Sequence, residues 1–181
     1  MNILNQDNTL FLVIDIQEKL INATFNKEII LRNSHILAKV ATILNIPTII
    51  TEQYPKGLGR TISEIKTSLI NHATYEKVDF NAFADLFIKE SVKSQNKINI
   101  VLFGIETHIC VYQTAKALLE DGYNVIIIKD SCGSRSEFEY NNGLDNLRCV
   151  GADIKTTEMV IFELLKTAKH PNFKEIQALI K

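Results

Sequence analysis

Residues 99–122 read NIVLFGIETHICVYQTAKALLEDG, and this stretch decides the fold. It opens inside an apolar run, residues 98–105, that lacks the alternation of a half-solvated strand. Such a run reads as a strand buried on both faces, as in a parallel sheet covered by helices. Residues 111–121 then carry helical spacing, and Gly122 stands where a helix C-terminus favours glycine. Strand, short polar turn and helix follow one another directly, with Cys110 at the junction.

The same unit recurs on either side. TLFLVIDI (9–16) is a continuous apolar run holding one charge, and residues 27–44 place Ile29, Ile36, Leu37, Val40 and Leu44 near helical spacing. IPTIITEQ (46–53) reads as a strand, and ISEIKTSLI (62–70) as a short helix behind the Gly-rich turn PKGLGR. ATYEKVDF (73–80) is a weaker, more polar strand, followed by a helix over 82–93. YNVIIIKDS (123–131) is a strand, and 136–151 reads as a helix despite Asn141, Asn142 and Gly143 inside it. A short last strand (152–158) and helices over 159–168 and 170–181 complete the chain, the last with Pro171 near its start. Apolar strands alternating with helices predict an α/β protein: a three-layer α/β/α doubly wound (Rossmann-like) fold on a mainly parallel six-stranded sheet. Nothing resembling a linker, repeat or low-complexity segment interrupts it, so residues 1–181 read as one domain.

Composition narrows the function. The chain has 181 residues, 46% of them apolar, and a formal net charge of −1. That balance, with no Lys/Arg cluster, argues against nucleic acid or an anionic membrane as partner. Cys110, Cys132 and Cys149 form no CxxC pair, and their odd number argues against a disulfide framework. A reducing, cytoplasmic setting is expected, and MNILNQDNTL has no basic segment leading into an apolar one as a secretory signal would. No His-x-His or HExxH spacing supports a metal, and no GxGxxG or GxxxxGK[ST] supports a nucleotide cofactor.

In doubly wound sheets ligands bind outside the carboxyl ends of the strands. The residues expected there are Asp15; Glu52, Gln53 and Tyr54; Lys77; the segment from Gly104 to Cys110; and Asp130, Ser131 and Cys132. Asp15 lies in an apolar run, where a carboxylate is costly unless paired, and fits a loop cap and a catalytic acid equally well. Lys77 by itself reads as a solvated lysine. Cys110 is the strongest single residue. With Thr107 as N-cap it falls in the first helical turn, where free N–H groups stabilise a thiolate and lower a thiol from about 8.5 to roughly 3.5–7.5. The plain alternative, a small buried hydrophobe, suits Cys132 and Cys149 better. His108 reads as a surface histidine, since two residues apart at a helix start it points away from Cys110.

Taken together, LVIDIQ with Asp15, KVDFNAF with Lys77 and GIETHICV with Cys110 resemble, in order and rough spacing, the isochorismatase-like cysteine hydrolase superfamily. That superfamily includes nicotinamidases and N-carbamoylsarcosine amidohydrolases. TEQYPKGLG, DSCGSRS and HPNFKEIQALIK look most similar to its isochorismatase domain-containing subgroup. The resemblance implies Cys110 as nucleophile, Asp15 as general base and acid, and Lys77 as the cation holding both. It also implies a cis peptide at Ile105–Glu106 and an oxyanion hole made by the Glu106 and Cys110 backbone N–H groups. The Asp-x-His metal motif of nicotinamidases is replaced by Glu52 and Tyr54 in TEQYP, so neither metal nor cofactor is expected. Gln17, Tyr54, Phe80 and Phe83 are candidates for the pocket wall, Phe83 leaning toward plain core. The expectation is hydrolysis of a small amide, carbamoyl or related carbonyl compound. Vinyl-ether hydrolysis with Cys110 a bystander and a non-catalytic interaction protein stand as alternatives. A homo-oligomer is expected because relatives assemble.

Overall fold

In the computed structural model, residues 4–181 are described; residues 1–3 of the N-terminal stretch discussed above lie outside them. The described residues form one six-stranded sheet, every pair parallel, in the order β3-β2-β1-β4-β5-β6. The strands are β1 (Thr9–Ile14), β2 (Thr48–Gln53), β3 (His72–Lys77), β4 (Asn99–Ile105), β5 (Asn124–Gly133) and β6 (Asp153–Lys155). The helices are α1 (Glu18–Asn22), α2 (Lys27–Ile43), α3 (Pro55–Leu58), α4 (Ser63–Lys66), α5 (Leu86–Ser94), α6 (Tyr112–Glu120), α7 (Glu137–Cys149), α8 (Thr157–Leu165) and α9 (Phe173–Ile180). Strand order reverses between β1 and β4, the two central strands. The crevice outside their carboxyl ends is where such sheets bind ligands.

β1 and β4 are apolar except for Thr9 and Asn99 at their starts because both faces are covered; every residue in them is buried. Phe11 and Phe103 meet edge to face at 6.1 Å across the pair. Each such side chain contributes about 1.5–3 kcal/mol when fully buried. β3 is polar because it is an edge strand, paired only with β2. At Gly104 the β4–β5 register shifts, and φ is +135°. A Cβ there would lie 1.9 Å from the Ile14 carbonyl oxygen, so only glycine lets β4 run this close to β1. β5 continues past the shift to pair Cys132 with Gly104 and Gly133 with Ile105.

Several boundaries differ from expectation. The helix over 82–93 is a 3₁₀ turn (Ala82–Ala84) and then α5, divided by Asp85, whose carboxylate accepts the Phe87 and Ile88 N–H groups at 2.9 and 3.1 Å. The helix over 62–70 shrinks to α4. In α2 the core-facing residue is Ile30, while Ile29 is 54% exposed. α7 does run through Asn141–Gly143. Gly143 sits against the turn after β4, where a Cβ would come within 2.9 Å of the His108 nitrogen. No helix among the described residues is long and apolar enough to cross a membrane.

Candidate active site

Asp15 follows β1 in a left-handed conformation (φ 51°) and is fully buried. Its Oδ1 accepts the Thr51 hydroxyl at 2.7 Å, and its Oδ2 accepts the Lys77 ammonium at 2.7 Å. Lys77, at the end of β3, is buried too. Its Nζ also donates to Gln53 Oε1 at 2.6 Å and to the Asp79 carbonyl at 3.2 Å. Three donors on the ammonium thus meet three acceptors, the full pairing that a buried ammonium group requires. The Cys110 thiol lies close enough to the Asp15 carboxylate and the Lys77 ammonium for both charges to act on it. Asp15, Lys77 and Cys110, read from three distant segments, therefore lie together at the crevice between β1 and β4.

The turn that carries Cys110 corrects the sequence reading. Thr107 is not an N-cap. Residues Thr107–Val111 form a π-helical turn entered from Glu106, and the buried Thr107 hydroxyl finds no partner among the described residues. The Glu106 carbonyl accepts the Ile109 and Val111 N–H groups at 3.1 and 3.2 Å, and α6 follows. Such π turns recur at functional sites. The Ile105–Glu106 peptide is cis. The Glu106 backbone amide lies near enough to Cys110 to favour its anionic form.

The thiol is not acidified. Burial pushes Cys110 up to about 12, the Asp15 charge and hydrogen bond push the same way, and Lys77 and the Glu106 amide offset only part of it. At neutral pH the resting sulfur carries its proton. The expected helix-terminus effect is outweighed because the sequence marked the turn but not its depth. Cys132 is likewise raised to about 12, by burial, and Cys149 is exposed.

His108 is largely enclosed and not a free surface residue. Its Nδ1 pairs with the Ser134 hydroxyl at 3.0 Å, while Nε2 lies 4.0 Å from Glu106 and 3.8 Å from Glu139. Arg135 Nε donates to Glu106 Oε1 at 2.9 Å. Gln17 is buried and offers nothing to a pocket. Its amide accepts the Gln53 N–H at 2.7 Å and donates to the carbonyls of Gln53 (3.0 Å) and Gly59 (2.6 Å). Phe83 is core, edge-on to Tyr123 at 5.9 Å. Tyr54 and Phe80 are 56% and 55% exposed. Tyr54 borders a cleft of about 250 Å³ that also takes in Lys56, Glu76, Lys77, Val78 and Asp85.

Of two further residues that touch the site, Thr51 went unsingled in the sequence and Gln53 was placed at the strand end without a role. Their signal is pairing, since Thr51 is the β-partner of Ile14 and Gln53 the β-partner of Lys77. Glu52, at the position of a metal ligand in nicotinamidase-like motifs, is spent elsewhere. It accepts the Thr61 N–H and hydroxyl at 2.9 Å each and Arg60 at 2.8 Å. Burial would raise its carboxyl, but these donors leave it below the ordinary range. Among the described residues no group of three or more His, Cys, Asp or Glu side chains is arranged to hold a metal ion.

Comparison with known proteins gives the family and the fold. The pattern of the Isochorismatase domain matches residues 9–159. Isochorismatase domain-containing protein 2 of Danio rerio is 39% identical over 98% of this chain and 89% of its own length. The Bos taurus protein of the same name is 38% identical over 92% of this chain and 80% of its own. Among solved structures, the MAR1 ribonuclease of Caenorhabditis elegans superposes with a TM-score of 0.93 at 38% identity, covering 98% of this chain and 91% of that one. By domain match, by identity along nearly its whole length and by fold, the chain belongs to the isochorismatase family.

Proposed function

We propose that this isochorismatase-family chain is a hydrolase of a small amide, carbamoyl or related carbonyl compound, with Cys110 as nucleophile. The observation that carries the reading is the Asp15 carboxylate, held by Lys77 and Thr51 beside the Cys110 thiol. As sulfur attacks the carbonyl carbon, its proton passes to Asp15, so no free thiolate is needed beforehand. The carbonyl oxygen takes the negative charge and is met by the Glu106 and Cys110 backbone N–H groups. Losing one such donor costs about 10²–10³ in turnover. Protonated Asp15 then gives its proton to the leaving nitrogen as the C–N bond breaks, leaving a thioester. Water attacks the thioester, its proton goes to Asp15, and the sulfur leaves and recovers a proton. Lys77 stays beside Asp15 and holds its carboxyl group in place as the proton comes and goes.

Self-association belongs to the same reading. Val78, Phe80, Leu86 and Phe87 are each more than half exposed, Val78 on the cleft itself, and a second copy would cover them. Light scattering at micromolar concentration tests it, and a monomer there would remove it.

A second reading takes its support from the nematode relative's name, ribonuclease. One experiment separates the readings. Purified protein is offered a panel of small amides and carbamoyl compounds with ammonia release as readout, a vinyl ether, and single-stranded RNA. Ammonia release by the native chain, lost in Cys110→Ala, supports the proposal. RNA cleavage, or vinyl-ether cleavage that survives Cys110→Ala, replaces it. A chain inert on every arm would leave the interaction-protein reading standing.

A further inference from the structure

The site contains more polar machinery than the three groups named in the mechanism. Gln53 spends its side-chain oxygen on the Lys77 ammonium at 2.6 Å and its side-chain nitrogen on the Val78 carbonyl at 2.6 Å. The ammonium demands an acceptor and the carbonyl demands a donor, so the amide has one allowed orientation. Gln53 is itself gripped by a second amide: Gln17 accepts its backbone N–H and donates to its carbonyl. Gln17 stands two residues after Asp15 on the same strand end. The bonds therefore close a ring running from Asp15 to Lys77, Gln53, Gln17 and, along the chain, back to Asp15.

We infer that Gln53 is a positioning residue that sets how strongly Lys77 stabilises the Asp15 charge, and so how readily Asp15 takes the Cys110 proton. This rests on the proposed role of Asp15 as proton acceptor. The physical reason is competition for one cation. Lys77 divides its field between a full anion on Asp15 and two neutral oxygens, on Gln53 and Asp79. Make the Gln53 oxygen anionic, and Asp15 loses part of its counter-charge. Remove that oxygen, and Asp15 receives more of it.

Other charges nearby are committed elsewhere. From β2, Glu52 is turned to Thr61 and Arg60. From β3, Glu76 also faces Arg60. Glu106 and His108, on the Cys110 turn, face Arg135, Ser134 and Glu139. Lys56 and Asp85 border the cleft on its outer side, with Tyr54, and Asp79 meets Lys77 through its carbonyl. Gln53 is thus the neutral side chain on Lys77 whose charge a single isosteric change can alter.

The test uses Gln53→Glu and Gln53→Met in the full chain and follows iodoacetamide alkylation of Cys110 by mass spectrometry from pH 4 to 9. It needs no substrate. In the native protein the rate is expected to show a limb rising with pH that Asp15→Asn abolishes; a native protein without such a limb removes the proton-acceptor reading itself. With the limb present, Gln53→Glu is expected to move it up by about one pH unit, slowing alkylation about tenfold at a pH below it. Gln53→Met moves the limb down. A side chain that only supports the fold would move neither limb, or would slow alkylation equally at every pH in both variants, and either result overturns the inference. Should Gln53→Met fail to fold, Gln53→Glu decides alone: an upward shift supports the inference and an unmoved limb ends it.

Discussion

Asp15 and Glu52 stand at the carboxyl ends of neighbouring strands, and both side chains are completely buried. Their partners differ in kind. Glu52 is ringed by an amide, a hydroxyl and a guanidinium, none of which gives up a proton near neutral pH. Its carboxyl is held below the ordinary range although burial alone would raise it. Asp15 has a hydroxyl and an ammonium of the same unyielding sort, and in addition a thiol. Burial and ion pairing alone do not make a carboxylate a proton acceptor. On the proposed mechanism what does is a neighbouring thiol, whose proton is released as sulfur bonds to carbon.

The sharpest way to break this comparison is to make the same chemical change at both residues. Asp15→Asn is expected to lower turnover of an identified amide substrate by at least about a thousandfold, the upper range for one acid–base group. Glu52→Gln should leave turnover within a few fold and cost about 1–3 kcal/mol of stability, through unpaired donors at Thr61. Steady-state kinetics and urea unfolding measure the two. Equal losses of turnover would show that Glu52 belongs to the chemistry.

Removing the cations sharpens it further. Lys77→Met leaves the Asp15 carboxylate buried without counter-charge, a change that costs about 3–5 kcal/mol. Arg60 is mostly solvated. Arg60→Met should therefore destabilise far less, because Glu52 keeps both of its bonds to Thr61. Thermal unfolding of the two variants side by side gives the answer.

Much of this was legible in the residues, for reasons that also mark where legibility ended. β1 and β4 declared themselves as unbroken apolar runs because both of their faces are covered. Asp15, Lys77 and Cys110 were each ambiguous alone, and only their order and surroundings pointed to one site. The role of Gln53 was hidden because its contact with Lys77 follows from β2–β3 register, which one strand cannot state. The Thr107 cap failed because a π turn and an N-capped helix share the same residue types. Gly143 looked like a flaw in a helix, yet it is what allows α7 to press on the Cys110 turn.

That close approach offers a smaller perturbation of the same site. Gly143→Ala puts a Cβ 2.9 Å from the His108 nitrogen and 3.1 Å from the Thr107 carbonyl carbon, both backbone atoms that cannot step aside alone. α7 must back away or the turn must shift. The expected cost is about 1–3 kcal/mol, in the range of overpacking changes. Cys110 alkylation should change severalfold while Glu52, on the far side of β1, is undisturbed. Unaltered alkylation would mean the turn is held without help from α7.

The least of these effects separates the two buried thiols from the carboxylates by the direction of their pH dependence. A carboxyl held below its ordinary range, as Glu52 is, contributes stability that is lost as pH falls. Cys110 and Cys132 behave oppositely, since the fold holds each at about 12. In the unfolded chain a thiol titrates near 8.5. Below about 8.5 both states keep the proton, and these thiols add no pH dependence. Above it the unfolded chain loses protons that the native chain retains, so stability falls as pH rises toward 12. Each thiol adds a slope of about 1.4 kcal/mol per pH unit in that window. Cys132→Ala should therefore remove about that much slope from urea unfolding measured at pH 9.5 and 10.5. It should leave the acid side of the curve, where Glu52 acts, unchanged. An alkaline slope identical to that of the native chain would mean that Cys132 ionises as readily folded as unfolded, and that its burial does not keep the proton on sulfur.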